Sequence, residues 1–336
     1  MEPVRAAIIG FGNVGRAVVR ESSRGYGPPI RFVAAASSRG AVVIRSRSDE
    51  EALLELGEAG ERLDRHPAFV EGLGGIDAVS ESGAELAFIA IPPSYERGEP
   101  NESIVKALLE QGISVVTADK TVLARGFREA MELAAEHGAF LGFRATVAAG
   151  TPATDVARGI AGRPIRRVSA VLNATTNYIL TLVEQGLGVS EAIKRAVDEQ
   201  LAEPDPRVDT HGWDPAAKLA IFLSAAGVYR RLGEVTRIPL DTISAEEVRE
   251  ALSQGYRVKY LALADLERGE LSVKPVRLPA TSFLASVSGI YNAIEVELEN
   301  EVIRLSGPAG PAWRTARVML TDAIEYTWFL KALRRQ

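Results

Sequence analysis

Short, mostly apolar runs recur through the first part of the chain, at residues 4–9, 30–36, 85–91, 113–117 and 139–143. Each is bounded by glycine, proline or polar residues, the pattern of strands buried on both faces of a sheet. Between them lie stretches with helical spacing, at about 101–111 and 127–137, and shorter helices through 48–75, where Ser48 and Glu51 suggest a capping box. Strand and helix alternate, which predicts an α/β architecture with a doubly wound parallel sheet.

The pattern changes after Arg144. A small-residue loop (145–152) leads into a helix, followed by a strand at 165–172 and a polar turn, Asn173–Tyr178, that enters a second helix. Helices at 190–201 and 214–231 follow, the latter read as starting with Asp214 at the N-cap and Pro215 at the first helical position. Ser244 and Glu247 cap another short helix. Alternating stretches at 256–278 and 290–306 read as two antiparallel hairpins turning near Arg268-Gly269 and Glu299-Asn300. An amphipathic helix at 312–333 ends the pattern. The expected organisation is a domain over residues 1–140, with the last helix packing back on it, and an α+β domain over 141–311.

The first strand runs straight into Gly10-Phe11-Gly12-Asn13-Val14-Gly15 and then a helix. Glycines at these spacings allow a tight turn, close approach of a pyrophosphate to the backbone, and close helix–strand packing, while the helix N-terminus faces the phosphates. The strand–turn–helix setting favours a Rossmann-type dinucleotide site over a glycine-rich turn without a ligand. The second strand ends in Ser37-Ser38-Arg39, with no carboxylate for a ribose hydroxyl. Arg39 is placed to meet a 2′-phosphate, so NADP is favoured and NAD is the alternative. Pro92 and the loop after the third run, and Lys120 at the end of the fourth, fall at strand carboxyl ends on the cofactor side.

Composition narrows the chemistry. Among 336 residues 46% are hydrophobic and 25% charged, the net charge is −5, and there is no cysteine. A basic footprint for nucleic acid, thiolate chemistry and disulfides are excluded. No apolar run approaches membrane-spanning length, and the N-terminus lacks a signal-peptide pattern, so a cytoplasmic protein is expected. Three scattered histidines offer no transition-metal spacing. Arginine is the default cation, with only seven lysines in the chain. A retained lysine can give up a proton where arginine cannot. Lys120 and Lys218 stand out, while the other five read as surface charges.

Residues 203–218, EPDPRVDTHGWDPAAK, concentrate Glu203, Asp205, Asp209 and Asp214 ahead of Lys218. Asp214 and Lys218 are four apart and share a helix face. Carboxylates around one ammonium could hold an amino-acid-like substrate and move a proton. Asp205, Asp209 and His211 read as the loop's internal hydrogen bonding. The plainer alternative for the whole stretch is a solvated loop with a well-capped helix.

With both halves in view, the chain resembles homoserine dehydrogenases over nearly its whole length. Residues 115–120 (VVTADK) are similar to that family's VVTANK, and 173–180 (NATTNYIL) to its NGTTNYIL. The 203–218 stretch resembles its substrate loop and following helix, and Gly307-Pro308-Ala309-Gly310 its GPGAG turn. The resemblance implies NAD(P)-dependent interconversion of L-homoserine and L-aspartate 4-semialdehyde, in threonine and methionine biosynthesis. It implies Lys218 and Lys120 as catalytic lysines, Glu203, Asp214 and Thr175 as substrate residues, and a homodimer formed through the second domain's sheet. Residues 147–151 resemble a loop whose carbonyls, at Val147, Ala149 and Thr151, hold a monovalent cation. Arg144 stands where the family has Glu, which argues against the ion and suggests that the guanidinium replaces its charge. Ala174 in place of glycine adds a methyl to the pocket turn, and the 307–310 turn is also altered. Two alternatives remain: a related oxidoreductase for another aldehyde or alcohol, and a cofactor-binding paralogue with low turnover.

Overall fold

In the computed structural model, which describes residues 2–199, 201 and 205–333, the chain divides into two units. One comprises residues 1–149 and 310–336, the other residues 150–309.

The first unit runs β1 (Val4–Ile9), α1 (Asn13–Ser23), β2 (Ile30–Ser37), β3 (Gly40–Val43), α2 (Arg47–Ala59), β4 (Val70–Glu71), α3 (Gly75–Ser82), β5 (Leu86–Ile89), α4 (Asn101–Glu110), β6 (Ser114–Thr117), α5 (Thr121–Glu136) and β7 (Leu141–Gly142). Its sheet has the order β4-β3-β2-β1-β5-β6-β7. The strands from β2 to β7 in that order pair in parallel. β3 and β4 add an antiparallel edge that the hydrophobic pattern does not announce: the chain folds back after Ser37 instead of entering a helix. Strand order reverses at β1, so the carboxyl ends of β1 and β5 open the crevice where ligands of such sheets bind. The capping box of α2 lies two residues earlier than expected. Ser46 is the cap and Asp49 its reciprocal partner, because the shorter Asp side chain reaches back where Glu51 instead pairs outward with Arg47.

The second unit runs α6 (Ala153–Gly159), β8 (Ile165–Val171), α7 (Ala174–Glu184), α8 (Val189–Asp198), α9 (Arg207–Thr210), α10 (Trp213–Ala225), β9 (Thr236–Arg237), α11 (Ala245–Ser253), β10 (Tyr256–Asp265), β11 (Glu270–Pro279), β12 (Tyr291–Leu298) and β13 (Val302–Pro308). Its sheet order is β13-β12-β8-β10-β11-β9. It is antiparallel apart from the parallel β9–β11 pair. The two hairpins turn where the sequence places them. Lys259 on β10 is no surface charge: it is fully buried, with Nζ donating to the carbonyl of Val287 at 2.6 Å and to Asn177 Oδ1 at 3.2 Å.

The last helix, α12 (Ala312–Leu333), belongs to the first unit. Ala316, Met319, Leu320, Ala323 and Tyr326 join Val18, Phe88 and Val116 in one core. Arg317 bonds the buried Glu21 of α1 at 2.8 Å and stacks on Tyr26. The helix that follows the glycine turn is thus braced along its length.

Candidate functional site

In the first unit the glycine turn is built by close packing. A Cβ on Gly10, whose φ is +99°, would lie 2.4 Å from the carbonyl oxygen of Ala90, and one on Gly15 would lie 2.0 Å from that of Gly10. A Cβ on Gly12 would meet nothing within 4 Å. Gly12 precedes α1 without any side-chain cap, so no capping side chain competes for the first-turn amides, which fits a pyrophosphate. Phe11 is buried, Val14 half-buried and Asn13 exposed, with Asn13 accepting from Arg16 at 2.8 Å.

At the end of β2, Ser38 and Arg39 form the exposed turn into β3. The Arg39 guanidinium bonds Asp64, which Arg62 also approaches at 3.6 Å. One carboxylate lies between two guanidiniums, leaving a surplus of positive charge.

Beyond β5, Pro92 is exposed and its carbonyl accepts from Asn101 Nδ2 at 2.9 Å. Ser94 N–H donates to Thr121 Oγ1 at 2.9 Å, which in turn donates to Asp119 Oδ1 at 2.8 Å. The network fixes the loop against the end of β6. Burial pushes the Asp119 carboxyl up, against its bonds to Thr121. Lys120, next in sequence, is half-buried at the N-cap of α5.

In the second unit, α10 begins two residues earlier than expected. Gly212 is its N-cap, in the left-handed region at φ +78°, and Asp214 lies in the first turn. Asp214 is not a cap because its carboxylate turns inward. Lys218 Nζ lies 2.6 Å from Asp214 Oδ2 and donates to the Leu172 carbonyl, just past β8, at 2.7 Å. Asn173 caps α7 through Oδ1, accepting from Thr176 N–H at 2.8 Å. Its Nδ2 donates to Asp214 Oδ2 at 2.9 Å and to Asp209 Oδ1 at 2.6 Å. Asp209 therefore does more than bond within its own loop. The structure draws it into this cluster through a residue 36 positions away. Burial, then the neighbouring Asp214 charge, raise its carboxyl to about 6 against the pull of Asn173 and Lys218. Thr175 donates to the Leu201 carbonyl at 2.9 Å. Asp205 is exposed and pairs with Arg207. Glu203 lies outside the described residues.

Arg144 donates to Asp322 Oδ1 at 2.6 Å and to Glu325. Burial works against its charge, but these bonds outweigh it and hold the guanidinium ionised. Val147 and Thr151 are buried, and Ala148 and Ala149 have φ of +56° and +29°. The Thr151 hydroxyl has no hydrogen-bond partner among the described residues. Also among the described residues, no group of three or more His, Cys, Asp or Glu is placed to hold a metal, and no helix is long and apolar enough to cross a membrane.

The homoserine dehydrogenase family model matches residues 153–324. A homoserine dehydrogenase of Pyrococcus horikoshii is 32% identical over 96% of this chain and 97% of its own. An NAD(+)-dependent homoserine dehydrogenase of Pseudomonas canavaninivorans is 27% identical over 96% of each. A solved hyperthermophilic archaeal homoserine dehydrogenase in complex with NADPH is 28% identical, with a TM-score of 0.82 over 97% of this chain and 98% of that one.

Proposed function

The chain belongs to the homoserine dehydrogenase family, and we propose that Lys218 moves the proton in that family's reaction. The activity is the NAD(P)-dependent interconversion of L-homoserine and L-aspartate 4-semialdehyde. A nicotinamide dinucleotide bound at the Gly10–Gly15 turn would supply the hydride chemistry. Gly10, Phe11, Gly12, Asn13, Val14 and Gly15 would hold its pyrophosphate, with Pro92 and Lys120 toward the nicotinamide.

The observation that carries the assignment is the pair of fixed contacts at Lys218 Nζ, with Asp214 and Leu172. An ammonium has three donors. Two are taken among the described residues, and the third is directed by the other two. In aldehyde reduction the carbonyl oxygen gains charge as hydride arrives, and Lys218 donates a proton to it. In alcohol oxidation the amine takes the hydroxyl proton. Arginine could not serve. Asp209, Asp214 and Thr175 line the substrate side, Glu203 meets the substrate ammonium, and Lys120 is the second catalytic lysine.

The surplus charge around Asp64 supports Arg39 as a 2′-phosphate ligand and a preference for NADP over NAD. Arg144 stands where the family has Glu and argues against a monovalent cation at Val147, Ala149 and Thr151, while its own charge is met by Asp322 and Glu325. A sharp rise in activity with added sodium or potassium would overturn that reading. Leu263, Val276 and Leu278, only partly covered on the second unit's sheet, support a homodimer through that sheet, to be checked by sedimentation. A cytoplasmic location fits the absence of cysteine.

The deciding experiment follows nicotinamide absorbance with L-homoserine, comparing NAD and NADP, on the protein and on Lys218→Ala. Turnover with homoserine that collapses in the variant is expected. Near-normal turnover in Lys218→Ala would remove the proton-transfer assignment.

A further inference from the structure

Tyr260 is one of the largest fully buried side chains, and its hydroxyl lies beneath the turn that joins α9 to α10. The hydroxyl is 2.9 Å from the carbonyl of Ile238 and 3.3 Å from that of Thr210, so its single proton is shared between two segments. A Cβ on Gly212 would lie 2.7 Å from the same oxygen and 3.1 Å from Val273. The backbone of the turn therefore rests directly on the hydroxyl, and glycine is required both by the left-handed φ and by this contact. Ile238 is itself tied to the sheet, its N–H donating to the Val273 carbonyl at 2.8 Å. Next to it, the Arg237 guanidinium stacks 3.6 Å over the Trp213 ring, at the first residue of α10. Asn173 holds the two carboxylates from the β8 side, and the edge of the sheet formed by β9, β10 and β11 holds their backbone from the other.

We propose that Tyr260 is a positioning residue for the reaction: its hydroxyl pins the Thr210–Gly212 turn and so sets Asp209 against the Asp214–Lys218 pair. It reaches no reacting atom. Its effect runs through the backbone of a three-residue turn flanked by the two carboxylates, where a small shift changes both their separation and their access to water. The inference rests on the reading of Asp209 as a residue of the substrate site.

The test is the pH profile of kcat/KM for L-homoserine in Tyr260→Phe, beside Asp209→Asn and the parent. Tyr260→Phe removes one oxygen and keeps the ring in the core. Losing one such hydrogen bond predicts about a tenfold fall in kcat/KM, with the KM for the nicotinamide cofactor unchanged. The acid limb should move to lower pH, because a loosened turn admits water to Asp209. A packing role alone would lower the melting temperature and leave the limb where it was. Gly212→Ala, which presses a methyl onto the same hydroxyl, should shift the limb likewise, and by less in the Tyr260→Phe background. A parental limb and parental kcat/KM in Tyr260→Phe overturn the proposal, as do effects of the two changes that simply multiply. If Asp209→Asn keeps the parental rate and limb, the reading of Asp209 falls and the proposal with it. If Asp209→Asn loses activity while Tyr260→Phe does not, only the positioning role falls.

Discussion

Lys218 Nζ lies 2.6 Å from Asp214 Oδ2, one helical turn back on the same face of α10. The pair is largely enclosed, with 13% and 11% of the two side chains exposed, and Asp214 is held in place by Asn173. The lysine is thus anchored to a charge that cannot swing away. Lys218→Ala should lower kcat by about 10²- to 10⁴-fold, the usual contribution of a positioned proton-transfer group. Lys218→Arg should do the same although it keeps the positive charge, because guanidinium does not release its proton. Steady-state kinetics with saturating cofactor separate the outcomes: substantial activity in the arginine variant would assign Lys218 to charge stabilisation alone.

The Asp209–Asp214 pair makes a prediction about pH. Burial and the Asp214 charge raise Asp209 to about 6, from an ordinary 3.8. The native protein therefore holds a proton on Asp209 between about pH 4 and 6 that the unfolded chain has released. Stability contributed by this group is present below pH 4 and declines as pH rises through 6. Asp209→Asn should then be more stable than the parent at pH 7, by about 2–3 kcal/mol, the free energy of holding that carboxylate ionised where burial favours its acid form. The gap should close near pH 4. Activity should run the other way, falling as pH drops through about 6 when the pair gains its proton. Thermal melts and rates across pH 4–8 test both limbs, and a gap that widens toward acid would refute the assignment.

Arg144 and Asp322 lead to a stability prediction. The Asp322 side chain is 1% exposed. Burial pushes its carboxyl up to about 6, and Arg144 draws it back by hydrogen bond and charge. Among the described residues, removing the guanidinium leaves a buried carboxylate that keeps the Arg144 backbone N–H, at 2.9 Å, as its partner. Arg144→Ala should cost about 3–5 kcal/mol, the usual penalty for breaking a buried pair from one side. Arg144→Ala combined with Asp322→Asn should recover part of that loss in a denaturant titration. A loss below about 1 kcal/mol would place the pair with exposed salt bridges.

The fold was legible in the sequence where the signal is local. The apolar runs, the glycine turn, the Ser244–Glu247 cap, both hairpin turns and the last helix depend on spacing over a few residues, and all appear at or near their expected places. Legibility ends where a partner lies far along the chain. An Asp followed by Pro reads as a helix cap. Asp214 is instead drawn inward by Lys218 and by Asn173, 41 positions away, and Gly212 takes the cap. Asp209 looks like one more acid in a polar loop until Asn173 and Tyr260 close around its turn. Lys259 resembles the exposed lysines because nothing nearby in sequence announces the Val287 carbonyl that receives it. The contact between Lys218 and Asp214 is legible because it is local: four residues apart on one helix face, the two side chains meet at 2.6 Å.

Gly12 and Gly15 lie only three positions apart, and the difference between them separates ligand binding from folding. Around Gly15 a methyl would collide with the Gly10 carbonyl at 2.0 Å and touch Ile8 at 3.2 Å. Gly15→Ala should therefore displace α1 from β1 and lower the melting temperature, in keeping with an overpacking cost of about 1–3 kcal/mol. Around Gly12 the same methyl meets nothing within 4 Å, and the φ of −88° suits any residue. Gly12→Ala should melt like the parent. Its methyl would instead occupy the space where a pyrophosphate approaches the backbone, weakening nucleotide binding by about ten- to a hundredfold if the same clash cost falls on the ligand. Titration of either nicotinamide dinucleotide against intrinsic fluorescence, with melts of the free proteins alongside, reads both effects. Unweakened binding in Gly12→Ala would move the phosphate site away from this turn, whatever Gly15→Ala did to the fold.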